Sequence, residues 1–290
     1  MRISDFPFKG CAVALAVAFA IAPVPMAQAF DPESTFKADD EPRTILRFGY
    51  QALKQGNVND AIGAFRFGAA RNNLAAEWKL ARMFQRGEGV AQDHVAAHEL
   101  FTKIAMRYAE TPPNRRDMPF VSHAVVSLGQ YALTGIRGTA IGANKRRAED
   151  YFYRAAALYK DPEAQFQLGL MYRNGDLGVV QARSAARWFG LAARKGHGEA
   201  RAQLGEMLFY GEGVRRSPVR GLVHMARGAA RSSVGNAQSM LEKALSQAST
   251  LERQKAQEII AQLDLQQPTA RASANVQPLG GAGRNAAQSD

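Results

Sequence analysis

The sequence predicts an all-α solenoid built from helix–turn–helix repeats. The pattern Ala-x-x-x-Leu-Gly recurs as AVVSLG at 124–129, AQFQLG at 164–169 and ARAQLG at 200–205. AEWKLA at 76–81 has alanine in the glycine position, and AQSMLE at 237–242 keeps only the alanine and the leucine. The first alanines lie 48, 40, 36 and 37 residues apart. Periods in this range are typical of stacked helical hairpins, each of which buries its apolar face against its neighbours.

The third unit indicates how one repeat folds. Four apolar or aromatic positions form a single helical stripe, at Ala164, Leu168, Met171 and Tyr172. Gly175 is expected to end this helix in the left-handed conformation. A second helix is predicted from about Ala182 to Gly196, with Trp188 and Phe189 as its bulky pair. The loop sequence Gly-Glu-Gly-Val at 87–90 and 211–214 predicts the same tight connection in two other units.

The remaining elements follow from these units in chain order. An acidic segment at 30–43 precedes a predicted capping hairpin at 44–75, and four repeats follow over 76–237. The first repeat has a proline-rich insertion at 110–119, and the second has a long loop at 134–145. Capping helices are predicted over 238–265. The tail at 266–290, which is rich in Ala, Gly, Gln, Asn and Pro, is predicted to be disordered.

Residues 1–29 have the three parts of a secretory signal peptide. Arg2 and Lys9 are basic, Cys11 to Ala22 form an apolar stretch, and Ala27 and Ala29 define a small-x-small site for cleavage before Phe30. The alternative is an uncleaved anchor or a buried N-terminal helix. The apolar stretch is shorter than the roughly 20 residues of a membrane span, and no later run approaches that length, so no span is expected after cleavage. The mature chain would contain no cysteine.

The charge of the chain is strongly basic. The formal net charge is +11, and removal of residues 1–29 leaves 35 basic and 25 acidic residues, a net charge of +10. Nucleic acid is not an expected partner of an exported protein. An acidic protein domain, a lipid surface or an envelope polymer is therefore a more plausible anionic partner. The alternative is that the positive charge serves only to keep the protein soluble.

Residues that could carry chemistry are few. We find no nucleophile motif, no acid–base pair and no cluster with metal-ligand spacing, so a non-enzyme without a cofactor is predicted. His94 and His98 are four residues apart and could share a helix face, but they lack a third ligand for zinc. They are candidates for a pH response, and the alternative is that they are ordinary surface histidines.

Three pairs of arginines lie in or beside predicted loops and are candidates for a partner-binding basic rim. These are Arg115 and Arg116, Arg146 and Arg147, and Arg215 and Arg216. They would form such a rim if the loops line one edge of the solenoid. A merely solvated edge is the alternative.

The combination of A-x-x-x-L-G-x-x-Y, G-x-G-V, a tryptophan–aromatic pair before a double alanine, and a closing glycine resembles the Sel1-like repeat, a relative of the tetratricopeptide repeat. The resemblance covers 76–237 and implies a right-handed α-solenoid. The second unit departs from the pattern, because its loop lacks G-x-G-V.

With an export signal, a capping hairpin and an interrupted second unit, the chain also resembles the ExoR-type periplasmic exopolysaccharide regulators of alphaproteobacteria. This resemblance implies a periplasmic negative regulator that binds the sensing domain of a two-component sensor histidine kinase and represses its signalling. The implied outputs are exopolysaccharide synthesis, motility and acid response. A periplasmic protease could act at 112–119 or 134–145. The alternative is an exported solenoid that binds an envelope polymer or assembles an envelope protein complex.

Overall fold

The computed structural model describes residues 31–37, 41–232 and 236–265, and all regular structure in these ranges is helical. The predicted signal segment with Ala27, Ala29 and Phe30, and the predicted tail at 266–290, lie outside the described residues. A four-residue helix, α1 (Pro32–Thr35), precedes six hairpins. Their helices are α2 (Pro42–Lys54), α3 (Val58–Ala70), α4 (Leu74–Arg86), α5 (His94–Arg107), α6 (Met118–Thr134), α7 (Lys145–Leu158), α8 (Pro162–Asn174), α9 (Ala182–Arg194), α10 (Gly198–Tyr210), α11 (Pro218–Ala229), α12 (Asn236–Gln247) and α13 (Thr250–Leu265).

The hairpins stack into the predicted all-α solenoid. We call the first helix of each hairpin (α2, α4, α6, α8, α10, α12) its A helix and the second its B helix. From α2 to α12 each helix packs on its neighbours in sequence, and α13 packs on α11. A helices also contact A helices of adjacent hairpins, as α4 does α6 and α8 does α10. The hairpin α2–α3 covers the segment predicted as the N-terminal cap, and α12–α13 cover the segment predicted to close the solenoid.

The repeat positions read from the sequence form the core. The alanines that begin the repeated motif, which we call slot alanines, have no exposed surface: Ala76, Ala124, Ala164 and Ala200. The leucines four positions later in the motif, which we call slot leucines, are at most 5% exposed: Leu80, Leu128 and Leu168. Burial of these positions drives the stacking of one hairpin on the next, because neither face of an isolated hairpin could be covered otherwise.

An aromatic ring of the B helix packs against the glycine that follows the slot leucine in the same hairpin. A Cβ atom on Gly169 would lie 2.4 Å from Cε1 of Phe189, and one on Gly129 would lie 2.6 Å from Cε1 of Phe152. The same contact occurs in the capping hairpin, where a Cβ on Gly49 would lie 2.6 Å from Phe65. In these three hairpins the glycine of the A helix therefore lets an aromatic ring of the B helix pack directly on its backbone.

Glycines in the connections from A to B helices adopt positive φ angles and leave room for close packing of the loop. Gly175 has φ +71°, as predicted for the end of α8. Gly213 has φ +65°, and a Cβ there would lie 2.5 Å from the carbonyl carbon of Ala182 at the start of α9. The second glycine of the G-x-G-V loop thus also lets the loop pack on the preceding hairpin.

The two loops that break the repeat period are anchored by hydrogen bonds. Between α5 and α6, the Tyr108 hydroxyl and the Asn114 side-chain amide both donate to Asp117, each at 2.9 Å. Between α6 and α7, the backbone N–H of Ile136 donates to the carbonyl of Ile141 at 2.8 Å. Both loops have exposed residues, and their cleavage by a protease stays a prediction.

The closing helix α13 buries only some of its apolar side chains. Ile260 and Leu263 pack against the last core cluster, whereas Leu251 is 58% exposed. A terminal helix has a neighbour on only one side, so part of its apolar stripe has nothing to pack against.

Candidate interaction surface

The A helices α4, α6 and α8 together form a face that carries aromatic and basic side chains. The Trp78 ring of α4 meets two rings of α6 edge-on, with its centroid 5.3 Å from that of Phe120 and 5.4 Å from that of His123. A cavity of about 360 Å³ opens beside His123 and is lined from all three helices, by Gln85, Arg86, His123, Val126, Ser127, Gln130, Asp161 and Glu163. We call this region the A-helix face.

Arg82 is the distinctive side chain of the A-helix face. Its guanidinium lies over the Trp78 ring, with Cζ 4.9 Å from the ring centroid. Within the described part of the chain it forms no ion pair, and its Nε is buried without a hydrogen-bond partner. Arginine stacked on an aromatic ring is held in place with its remaining N–H donors free to bind a carboxylate.

His123 lies in a strongly cationic environment. Burial, together with the nearby Arg82 and Arg86 guanidinium groups, lowers the pKa of His123 to about 4, against a smaller opposing effect of Asp161. The ring is therefore neutral at physiological pH. Its Nδ1 lies 3.5 Å from the Ser127 hydroxyl, a long contact between polar groups on the cavity wall.

Toward α10, the same face carries an acidic and more fully paired set of side chains. Nε2 of His197 lies 3.1 Å from Glu163, and Nδ1 accepts the backbone N–H of Ala200 at 3.1 Å. Because Nδ1 is an acceptor, the proton of the neutral ring is on Nε2 and is donated to the carboxylate. This hydrogen bond is the main cause that lowers the pKa of Glu163. Because Glu163 also lines the cavity beside His123, this face carries charges of both signs.

A buried ion pair joins α4 to α5 behind this face. The Glu77 carboxylate has no exposed surface and binds Arg107 and Lys103, each at 2.8 Å. The guanidinium reaches both carboxylate oxygens, so the buried charge is compensated and hydrogen-bonded. The conventional reason for an acid near the start of a helix, interaction with its dipole, is only part of the role of this residue.

Replacement of Glu77 by alanine is expected to lower the free energy of unfolding by about 2 kcal/mol, because two charge-assisted interactions are lost. Glu88→Ala is the matched control, since Glu88 pairs with Lys79 at the surface and its side chain is 39% exposed. The control should lose less than about 1 kcal/mol. Urea unfolding of both variants measures the difference, and equal losses would contradict a special role for Glu77.

The two histidines predicted to respond to pH lie together, on either side of one tyrosine of α6. Nδ1 of His94 is 3.1 Å from the Tyr131 hydroxyl, and the His98 ring centroid is 5.9 Å from that of Tyr131. Both are partly buried. Burial lowers the pKa of His98, as does Arg147, while Glu99 opposes the shift. A sensing role for this pair stays a prediction.

The structure does not bring the six predicted rim arginines together. All six are exposed, but Arg115 and Arg116 lie in a B-to-A connection, whereas Arg215 and Arg216 lie in an A-to-B connection. Arg146 and Arg147 lie in the first turn of α7, beside another A-to-B connection. Because successive helices are antiparallel, the two kinds of connection are at opposite edges. The six arginines therefore lie along two edges, four on one edge and two on the other, and their role in partner binding stays a prediction.

Several residues of the A-helix face were not singled out from the sequence. His123 and His197 carry no motif, and Trp78 lies at a variable position inside the AEWKLA motif at 76–81. The repeat pattern does indicate one position on this face, because His123, Glu163 and Glu199 each immediately precede a slot alanine. Within the described residues, no group of three or more His, Cys, Asp or Glu side chains could hold a metal ion. Nor is any helix in those residues long and apolar enough to cross a membrane.

Comparisons with known proteins agree with this repeat architecture. The family model described as Sel1 repeat matches residues 74–107, 122–159, 162–197 and 198–233, which correspond to the four hairpins from α4–α5 to α10–α11. A crystal structure of a protective antigen of uropathogenic Escherichia coli, which displays an SLR fold, superimposes with a TM-score of 0.63 and 25% identity. The alignment covers 86% of this chain and 51% of that one, so the present chain spans about half the length of that structure.

Two curated relatives are similar over most of their length. The exopolysaccharide production negative regulator of Rhizobium leguminosarum bv. viciae is 31% identical over 210 residues, which cover 72% of this chain and 78% of the relative. The protein of the same description from Rhizobium meliloti (strain 1021) is 32% identical over 199 residues, with coverages of 69% and 72%. Both resemblances predicted from the sequence are thereby confirmed. The chain belongs to the Sel1 repeat family, among the relatives of the exopolysaccharide production negative regulators.

Proposed function

We propose that this protein is a periplasmic negative regulator, which binds the sensing domain of a two-component sensor histidine kinase and keeps the kinase inactive. Two relatives described as negative regulators of exopolysaccharide production support the regulatory part of this proposal. The solenoid fold supports action by binding, because Sel1 repeats present extended faces to partners. Loss of the complex would release exopolysaccharide synthesis, motility and acid-response genes from control.

The observation that carries the proposal is the free guanidinium of Arg82 on the A-helix face. Arg82 is stacked on Trp78 and lacks an acidic partner among the described residues. Its charge acts on His123, which lines a cavity of about 360 Å³. Aromatic residues and arginine are the residue types that most often dominate binding energy at protein interfaces. We therefore assign to Arg82 a carboxylate of the kinase domain as its partner. By binding the inactive conformation of that domain, the regulator would shift its population away from the active one.

The assignment is tested by measuring the affinity of the purified sensing domain for wild-type and variant regulator by calorimetry. Arg82→Glu is expected to weaken binding at least tenfold, since it places like charges together in a desolvated contact. The double variant Arg215→Glu, Arg216→Glu tests the edge that carries four of the predicted arginines. Thermal unfolding of each variant checks that the fold is retained.

The possible outcomes distinguish a wrongly assigned binding surface from a wrong proposed function. A loss of binding that is confined to the Arg215 and Arg216 variant would move the binding site to the loop edge and contradict the role of Arg82. The kinase is identified by deleting the gene and determining which kinase regulon is derepressed. If no regulon is derepressed and no sensing domain binds, the proposed function is wrong.

The second function predicted from the sequence, binding of an envelope polymer or assembly of an envelope protein complex, has one specific observation in its favour. The B helices α9 and α11 carry five arginines and no acidic residue, and they form a cationic surface separate from the A-helix face.

A further inference from the structure

The B helices α9 and α11 are basic and contain no acidic residue. Their sequences are ARSAARWFGLAAR and PVRGLVHMARGA, with three arginines in the first and two in the second. No aspartate or glutamate occurs anywhere from residue 213 to residue 241. Such a one-sided charge distribution creates a strong local positive potential, since no neighbouring carboxylate in these helices offsets it.

A small cavity lies at the centre of this basic surface. It measures about 270 Å³ and is lined by Arg194 of α9, Arg201 of α10, and Arg220 and His224 of α11. Its other lining residues are apolar or small, namely Gly190, Ala193, Leu204 and Leu208. Cationic side chains therefore surround a site with a largely apolar floor. We call it the arginine cavity.

The arginines of this cavity have no carboxylate partner within the described residues. Arg201 instead donates to the backbone carbonyl of Ala193 at 2.8 Å. By contrast, Arg173 of α8 is paired with two carboxylates, because it binds Glu206 at 2.7 Å and Glu212 at 2.8 Å. Unpaired arginines gathered around one cavity are unfavourable in the free protein, because like charges repel in a partly desolvated site.

Burial and the clustering of positive charge lower the pKa values of two residues at this cavity. Burial lowers the pKa of Arg201, and the charges of Arg227 and Arg231 lower it further. Burial also lowers the pKa of His224, with additional effects from Arg201, Arg220 and Arg227. Nδ1 of His224 is buried without a hydrogen-bond partner. A bound anion would relieve the repulsion between these groups.

We propose that the arginine cavity binds the carboxylate group of an acidic saccharide. The positive lining selects an oxyanion, and arginine pairs with carboxylates in a bidentate geometry. The apolar floor can accept the less polar face of a sugar ring. The volume is below that of most drug-sized ligand sites, so it suits one sugar unit rather than a folded protein element. Further arginines along the same helices, such as Arg187 and Arg227, could contact successive charged units of a polymer.

This inference rests on the second candidate function, binding of an envelope polymer, and does not depend on which protein the regulator binds. The ligand could be a single acidic sugar or one unit of an acidic polysaccharide, and both have the same recognition chemistry. Calorimetric titration of the full-length protein with glucuronate and with polygalacturonate distinguishes these two sources. Inorganic phosphate and neutral dextran are the comparison ligands.

The variant that tests the site is Arg194→Gln with Arg220→Gln, because both side chains are exposed and their replacement relieves repulsion without removing a structural contact. The matched control is Arg43→Gln with Arg47→Gln, which removes the same charge from exposed positions on α2, far along the chain from the cavity. We expect wild-type and control proteins to bind polygalacturonate with affinities within twofold of each other. The test variant should bind at least tenfold more weakly, and added salt should weaken all binding.

Each outcome decides the proposal. Binding of glucuronate and of the polymer supports a one-sugar site, and binding of the polymer alone supports a polysaccharide ligand. Equal weakening in both double variants would show that only net charge matters and would overturn the site. Absence of saccharide binding, binding of phosphate alone, or equal binding of dextran would overturn it as well. Thermal unfolding verifies that the variants are folded.

Discussion

Replacement of Gly221 by valine is expected to destabilise the protein by more than about 3 kcal/mol, because α10 and α11 pack backbone to backbone at this position. A Cβ on Gly221 would lie 2.7 Å from the carbonyl oxygen of Gly205 and 2.8 Å from the backbone nitrogen of Phe209. Backbone atoms cannot rotate away as a side chain can. The two helices would therefore have to separate, and the surrounding core contacts would be lost.

The same close approach explains why this hairpin departs from the aromatic pattern. Where other units place a phenylalanine on the glycine of the A helix, the fourth unit has Met225, and a Cβ on Gly205 would lie 2.8 Å from its Cγ. The flexible methionine and the small Gly221 together allow the closer packing.

Gly190→Ala is the matched control for the Gly221 substitution. Gly190 lies inside α9, and the nearest atoms to an added Cβ are 3.9 Å away. Alanine there should stabilise the protein by about 0.5 to 1 kcal/mol, since glycine is unfavourable in a helix interior. Urea unfolding followed by circular dichroism measures both variants. A Gly221→Val protein as stable as the wild type would refute the backbone contact.

Acidification is expected to destabilise the protein through His123. An unfolded histidine has a pKa of about 6.5, whereas the pKa of His123 in the folded protein is lowered to about 4. Between these values the unfolded chain takes up a proton that the folded protein does not. Stability is therefore complete above about pH 6.5 and falls as the pH is lowered, by about 2 kcal/mol at pH 5 and about 3 kcal/mol at pH 4.

The His123→Phe variant should lose this part of the pH dependence while keeping an aromatic ring beside Trp78 and Phe101. The free energy of unfolding is measured at pH 7 and pH 5 for both proteins. His98→Phe is the comparison, and its effect should be smaller, because His98 is less buried and Glu99 opposes the lowering of its pKa. An unchanged pH dependence in His123→Phe would contradict the prediction.

The repeat pattern was sufficient to predict the helices and much of the core. Ala164, Leu168 and Met171 are almost completely buried, and Gly175 has the positive φ expected of it. These positions were predictable because each repeat places the same residue in the same local environment, so periodicity alone reports burial. The pattern predicted burial less well in α13, because no further hairpin covers this terminal helix.

The candidate surfaces were less predictable. The arginines at 115–116 were grouped with those at 215–216 because both pairs lie near loops, yet the antiparallel arrangement puts them at opposite edges. Arg82 was not selected, since a single arginine in a helix carries no local signal. Its stacking on Trp78 is local, because the two residues lie four apart in α4, but its lack of an acidic partner among the described residues depends on helices that the chain brings together only after folding.

The sequence by itself determined the fold class, the family and the positions that form the core, because these depend on contacts repeated at a constant separation along the chain. Tertiary structure decided which charges are paired and which are free. Glu77 is neutralised by α5, while Arg194, Arg201 and Arg220 meet around one cavity from three helices without a carboxylate partner in the described residues. Electrostatic interaction depends on distance in space and on burial, and neither can be read from the order of residues.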